Sequence, residues 1–307
     1  MPFDTAYIIG VIRSWEMGLL QTDEYTRMIE APSAEEALHT LVNTPYEAWI
    51  EPNIDWQNGL IALDERLVQL QAWLEDAVAD KRVVRRLQAR YDAMNIVTSL
   101  FAYQSGLNEP SKLSRLGSLV PATLQGLIWH DLGWEQVPEY WGKFIKEEKV
   151  MATETKSPTW KRELLGRSFR QLTVVEDLLA TTPLGRSLAQ LTRHRWEIER
   201  RVRSNEAPDE VSAELTKQNL GESWDQLIRQ VRAEGRADQY ELQWDRLLMQ
   251  KIKHFKHEPV GYDAIIAFWV AVNLEVKTIR MIILSKRQGL EASYIRSLVR
   301  PFYLSQI

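Results

Sequence analysis

Apolar residues recur every three or four positions through most of the chain, and nowhere do they alternate in twos between turn pairs. The pattern predicts helices throughout and no strands. The longest run starts at Asp263, a candidate N-cap just after Gly261, and continues to Lys286 with Ile265, Phe268, Trp269, Val272, Val276, Ile279 and Ile283 on one face. Gly289 is placed to take the left-handed conformation that closes a helix, and Leu290 to fold back on the last turn. A short helix with Ile295 and Leu298 follows, stopped by Pro301.

Earlier in the chain, Tyr7, Val11, Trp15 and Leu19 predict a first helix over 5–20. Ser33 and Glu36 have the spacing of a capping box before a helix bearing Leu38 and Leu41. Long helices are expected over 60–79, with Leu60, Leu63, Leu67, Leu70 and Leu74 on one face, and over 81–105, with Val84, Leu87, Tyr91, Met94, Thr98 and Phe101. Others fall near 159–180, 184–203, 208–218, 222–233 and 237–257, and the polar stretch 153–158 is the best linker candidate. Trp129, Trp134 and Trp141 mark the region 119–150 as aromatic packing, with a binding patch as the alternative.

One unit occurs twice. Asp92, Ile96, Leu100, Gly106 and Leu107 stand at the same spacings as Glu275, Ile279, Ile283, Gly289 and Leu290. With a one-residue insertion, Leu113 and Leu116 also match Ile295 and Leu298. A helix, a glycine stop and a short helix are therefore reused, which points to a fold built from related helical units. Trp196 to Arg203 forms a degenerate third copy in which Asn205 and Pro208 replace the glycine stop.

The same residues carry a resemblance. Glu275, Ile279, Arg280, Lys286, Gly289, Leu290, Ile295 and Leu298 resemble the C-terminal signature of the family of C subunits of the A/V-type rotary ATPases, known as the d subunits in eukaryotes. Tyr7, Arg13, Leu19, Leu20 and Tyr25, then Glu35, Glu36, Ala37, Leu38, Leu41, Thr44 and Tyr46, are similar to that family's N-terminal pattern, and Asp92, Asn95 and Ile96 to its internal helix. Thr278 departs from the asparagine expected to match Asn95. The resemblance implies an all-α fold of about a dozen helices in three related lobes forming a funnel-like socket, with lobes over 1–118, 119–206 and 207–307. It implies a non-catalytic central-stalk protein on the cytoplasmic face of a proton- or sodium-transporting machine, whose partners are the central-stalk shaft subunits and the membrane rotor ring. A helical scaffold holding a peptide or partner helix in a groove is the other reading, although no 34-residue repeat of helix pairs is visible.

Composition narrows the chemistry. There is no cysteine among 307 residues, which removes disulfides, thiol nucleophiles and cysteine-based zinc sites. No phosphate-binding glycine loop, dinucleotide fingerprint or nucleophile elbow is present, so no cofactor and no catalytic residue is expected. Of five histidines only His254 and His257 share a helix face, and Lys251, Lys253 and Lys256 around them oppose a cation; a metal hydrolase is the disfavoured enzyme reading. The longest apolar run, Ala264 to Val272, is 9 residues, whereas a membrane span needs about 20. Work at a membrane would thus go through a partner.

Net charge is −4, but residues 1–80 hold 15 acids against 3 bases and residues 246–307 hold 4 acids against 10 bases. The ends either pair with each other or present surfaces to two partners. Lys277 and Arg280, on the polar side of the last long helix, are the candidate partner contacts. The basic start of the 81–105 helix lacks an aromatic stacking platform, so it reads as a solvated face and no nucleic-acid partner is expected.

Overall fold

The computed structural model describes residues 4–51, 53–110, 112–154, 159–204, 237–256 and 261–303. Among the described residues are twelve α-helices, one 3-10 turn at Trp134–Gln136 and no strand. The helices are α1 (Thr5–Glu16), α2 (Thr22–Glu30), α3 (Ala34–His39), α4 (Trp56–Ala77), α5 (Lys81–Gln104) and α6 (Pro121–His130), then α7 (Glu139–Glu154), α8 (Trp160–Leu179), α9 (Pro183–Ser204), α10 (Ala237–His254), α11 (Asp263–Arg287) and α12 (Ala292–Ser297). The all-α expectation holds. The helices expected at 208–218 and 222–233, and Asn205, Pro208 and His257, lie outside the described residues.

The chain packs as two compact units, Met1–Ala79 with Glu197–Ile307, and Asp80–Trp196. In the first, α11 packs against α1, α2, α3, α4 and α10; in the second, α5 packs against α6, α7 and α8. Acidic and hydroxyl caps start several of these helices by accepting otherwise unpaired N–H groups. Asp55 accepts from Gln57 and Asn58, both at 2.9 Å, Asp80 from Arg82 at 3.1 Å, and Ser33 from Glu36 at 3.1 Å.

The seven residues expected on the apolar face of α11 are all buried. So are Ala264, Ile266, Ala267, Ala271, Leu274 and Ile282, so this helix is apolar nearly all round, as a helix at the centre of a unit must be. In α5 the stripe lies elsewhere than expected: Met94 is 59% exposed, whereas Asp92, Ala93, Asn95, Ile96, Ser99 and Leu100 are buried.

Three local expectations are corrected. The first helix stops at Glu16 rather than 20, and the chain turns through Leu19 and Leu20 into α2, whose start is closed by Gln21 N–H donating to Glu24 at 2.8 Å. This helix has only Tyr25, Met28 and Ile29 to bury, too few for its period to be visible. Asp263 is the first helical residue and is buried, with Tyr262 at the cap position and no side-chain cap bond. Thr153, expected to open a linker, is in the last turn of α7.

The two glycine stops form alike. Gly106 has φ 73° and Gly289 φ 71°. Each glycine N–H bonds the carbonyl three residues back, and each following leucine N–H bonds the carbonyl five back, Leu107 to Ala102 and Leu290 to Ser285, all at 3.0 Å. These paired bonds satisfy the carbonyls a helix end leaves free.

A Cβ at either glycine would meet nothing within 4 Å. Gly106→Ala and Gly289→Ala should therefore cost only the backbone term, about 1–2 kcal/mol each, and the double variant should lose the sum within about 0.5 kcal/mol. Chemical denaturation measures this; an unchanged midpoint in either single variant would show that the stop does not hold the helix end.

A buried carboxylate on each long helix

The two acids that matched in the sequence repeat are both in the core. Glu275, in the middle of α11, is 6% exposed, and Asp92, in the middle of α5, is 1% exposed. Neither is free to reach water, so each needs donors from the protein.

Glu275 finds them on three separate segments of its unit. The backbone N–H of Leu20, one residue before the α2 cap, donates at 2.6 Å; the Tyr46 hydroxyl donates at 2.8 Å; and Arg66, on α4, donates at 3.2 Å. Arg66 also lies 4.0 Å over the Tyr46 ring, so its charge is matched by a carboxylate on one side and a π face on the other. Burial raises the Glu275 pKa, opposed first by Arg66 and then by the Leu20 and Tyr46 bonds. Tyr25 and Tyr46 are pushed well above the usual phenol range, by burial first and the Glu275 charge second. Both phenols stay neutral, so Tyr46 is a donor and no acid–base pair poised near neutral pH arises here.

Asp92 repeats this arrangement with other partners. It accepts the backbone N–H of Leu119 at 2.9 Å and the Ser118 hydroxyl at 2.7 Å, and the Trp141 indole also donates to it. Leu119 is one residue before the α6 cap, as Leu20 is before the α2 cap. Each acid thus holds the entry to a helix by a leucine N–H and takes a second bond from an aromatic donor farther on, Trp141 or Tyr46. Asp92 has no cation in its shell, and burial pushes its pKa up to about 6. Gly117 packs so close that a Cβ there would stand 2.6 Å from an Asp92 carboxylate oxygen.

The departure at Thr278 now has a physical meaning. Asn95 makes two bonds with the Ser114 backbone, both at 2.8 Å, pinning the segment after α5, while Thr278 bonds the Leu274 carbonyl of its own helix at 2.7 Å. In the first unit the chain end is held instead by Arg300 bonding Asp245 at 2.6 Å and the Tyr303 hydroxyl bonding Glu16 at 3.0 Å.

Lys277 and Arg280, the candidate partner contacts, are each about a third exposed and engaged within their own unit. Lys277 pairs with Asp245 at 2.8 Å and Glu241 at 3.2 Å; Arg280 pairs with Asp64 and bonds the Leu60 carbonyl at 3.2 Å. The Tyr46–Arg66–Glu275 cluster was not foreseen, although an acid repeated in the middle of two apolar helices was its signal. His254 is exposed, and among the described residues no group of three His, Cys, Asp or Glu is placed to hold a metal ion.

Residues 8–135 and 176–298 match the family model described as ATP synthase (C/AC39) subunit. No curated protein matches the chain.

A carboxyl group whose native pKa is raised stabilises the fold fully below its unfolded value and loses that contribution as pH rises through the native value. From an ordinary value near 3.9 to about 6 for Asp92, the loss amounts to about 3 kcal/mol. Asp92→Asn removes it, so the wild type should fall in stability relative to this variant between about pH 4 and pH 7. Parallel stability profiles of the two proteins over that range would show that Asp92 does not titrate natively there. Tyr46→Phe deletes one donor to a buried acid and should destabilise by about 1–3 kcal/mol, read as a shift in denaturation midpoint.

Proposed function

This chain belongs to the ATP synthase (C/AC39) subunit family, part of the rotary ATPases, and we propose that its work there is mechanical. It acts as a central-stalk socket that couples the rotor shaft to the membrane rotor ring of a V-type or A-type machine moving protons or sodium ions. The observation that carries this reading is the extent of the family match, which takes in α11 and α5, the helices at the centres of both units.

The buried clusters support it. Interiors packed at crystal density deform little under load, and here polar bonds across separate segments add to that stiffness in each unit. Three related lobes, with the third around Trp196, belong to the same proposal, supported by the matching Asp92 and Glu275 clusters. Among the described residues no helix is long and apolar enough to cross a membrane; we place the protein on the cytoplasmic face, peripheral to the bilayer through its partners. Lys277 and Arg280 remain candidate contacts through their exposed third.

Reconstitution tests the coupling role. An assembly lacking this chain should keep ATP hydrolysis in its soluble head and lose ion transport, and adding the chain should restore transport; undiminished transport without it would refute the socket role. The chain alone should hydrolyse no ATP above background. Lys277→Met with Arg280→Met should weaken binding to shaft or ring several-fold at low salt. Because half-exposed ion pairs contribute only about 0–1 kcal/mol, the melting temperature should stay close to wild type; unchanged binding would place the contact elsewhere.

A further inference from the structure

The repeat extends to a surface feature that the buried clusters do not use. Arg280 reaches Asp64 and the Leu60 carbonyl, and Arg287 lies 5.8 Å over the Trp56 ring. Rising residue numbers on α11 therefore meet falling ones on α4, and the two helices are antiparallel here. Between the contacts lie Leu284, 41% exposed, and Ile61, 49% exposed, an apolar pair at the seam of α4 and α11.

In the other unit Phe101 stands at the repeat position of Leu284, and Leu165 follows Trp160 at the same interval as Ile61 follows Trp56. Phe101 is partly buried and Leu165 is 38% exposed. Trp160 packs edge-on against Phe101, and Lys161 lies 5.6 Å over the Phe101 ring. Met94, 59% exposed, occupies the repeat position of Lys277. Each unit thus carries an exposed aliphatic residue beside a second apolar side chain, with a cation held over an aromatic ring next to it. Arg162, exposed one residue beyond Lys161, has no ion-pair partner among the described residues.

We propose that these two seams, Ile61–Leu284 with Arg287 and Leu165–Phe101 with Lys161, are docking sites of one kind, each taking an apolar side chain flanked by a carboxylate from a partner built of identical subunits. The apolar pairs exclude charged contacts from their centre, and the neighbouring cations complement an acid beside the incoming side chain. Two seams of the same chemistry match a partner that offers the same surface more than once. Within the proposed function, on which this inference rests, the partner with that property is the rotor ring and not the shaft.

Purified, detergent-solubilised rotor ring and isolated shaft subunits serve as separate probes. Ile61→Asp and Leu165→Asp each place an acid where an acid must dock, and should weaken ring binding at least tenfold with shaft binding unchanged. Arg287→Glu should do the same more mildly. Met17→Asp, at a position 77% exposed on another helix end, should change neither. All four substitutions are at the surface, so unchanged circular dichroism and melting temperature accompany the expected result. If wild type binds neither probe, the socket role itself fails. If wild type binds the ring and both aspartate variants bind it equally well, the seams are not the docking sites and the socket role stands. Loss of shaft binding alone would overturn the assignment to the ring.

Discussion

A carboxylate in the middle of a helix that is apolar all round constrains everything packed around it. Glu275 can stay in the core only while Leu20, Tyr46 and Arg66 reach it together, and those residues belong to the turn before α2, the segment after α3 and α4. Removing one partner of a buried pair typically costs about 3–5 kcal/mol, whereas the intact pair contributes little net stability. The cluster therefore acts less as a source of stability than as a condition on register. Any slip of α4 against α11 separates Arg66 from Glu275, and the fold with all donors in place is the one with no unpaired buried charge.

The second copy solves the same problem without a cation. Asp92 is held by a backbone N–H, a hydroxyl and an indole, neutral donors that offset burial less fully than a guanidinium does. Its raised pKa follows from that difference. The two copies also divide the task of holding the next segment differently. Asn95 pins the chain after α5 by two bonds, whereas the chain after α11 is tied down by Arg300 and Tyr303, beyond the short helix α12. A threonine at 278 is sufficient because the pinning has moved to the C-terminal segment.

Much of the architecture was legible in the sequence because long helices repeat their period many times. The bounds of α4, α5, α8 and α11 fall within four residues of those expected, and both glycine stops adopt the expected positive φ. What escaped was short or non-local. Helix α2 is only nine residues long, with three buried apolar positions, so its capping bond is a clearer signal than its period. The Glu275 cluster escaped for a different reason: its partners are separated by more than two hundred residues. A sequence read in order shows that an acid recurs on an apolar face, which is a demand for donors, but not which donors the folded chain supplies. The α5 stripe was misplaced for the same reason, since Asp92, Asn95 and Ser99 look like the polar side until their partners are known.

The opposite charges of the two chain ends are used in large part within the first unit. Arg66 pairs with Glu275, Arg280 with Asp64, and Arg296 with Glu30, three links between the acidic first 80 residues and the basic last 62. Charge asymmetry along a sequence is therefore a poor guide to where a partner binds, because a fold that brings the ends together neutralises it. A better guide is what remains after internal pairing. In both units that remainder includes an exposed aliphatic side chain on a helix seam, beside a second apolar side chain and a cation held over a ring. Burying such a seam needs no internal ion pair to be broken, so a partner can dock there without disturbing the clusters that set the register of each unit.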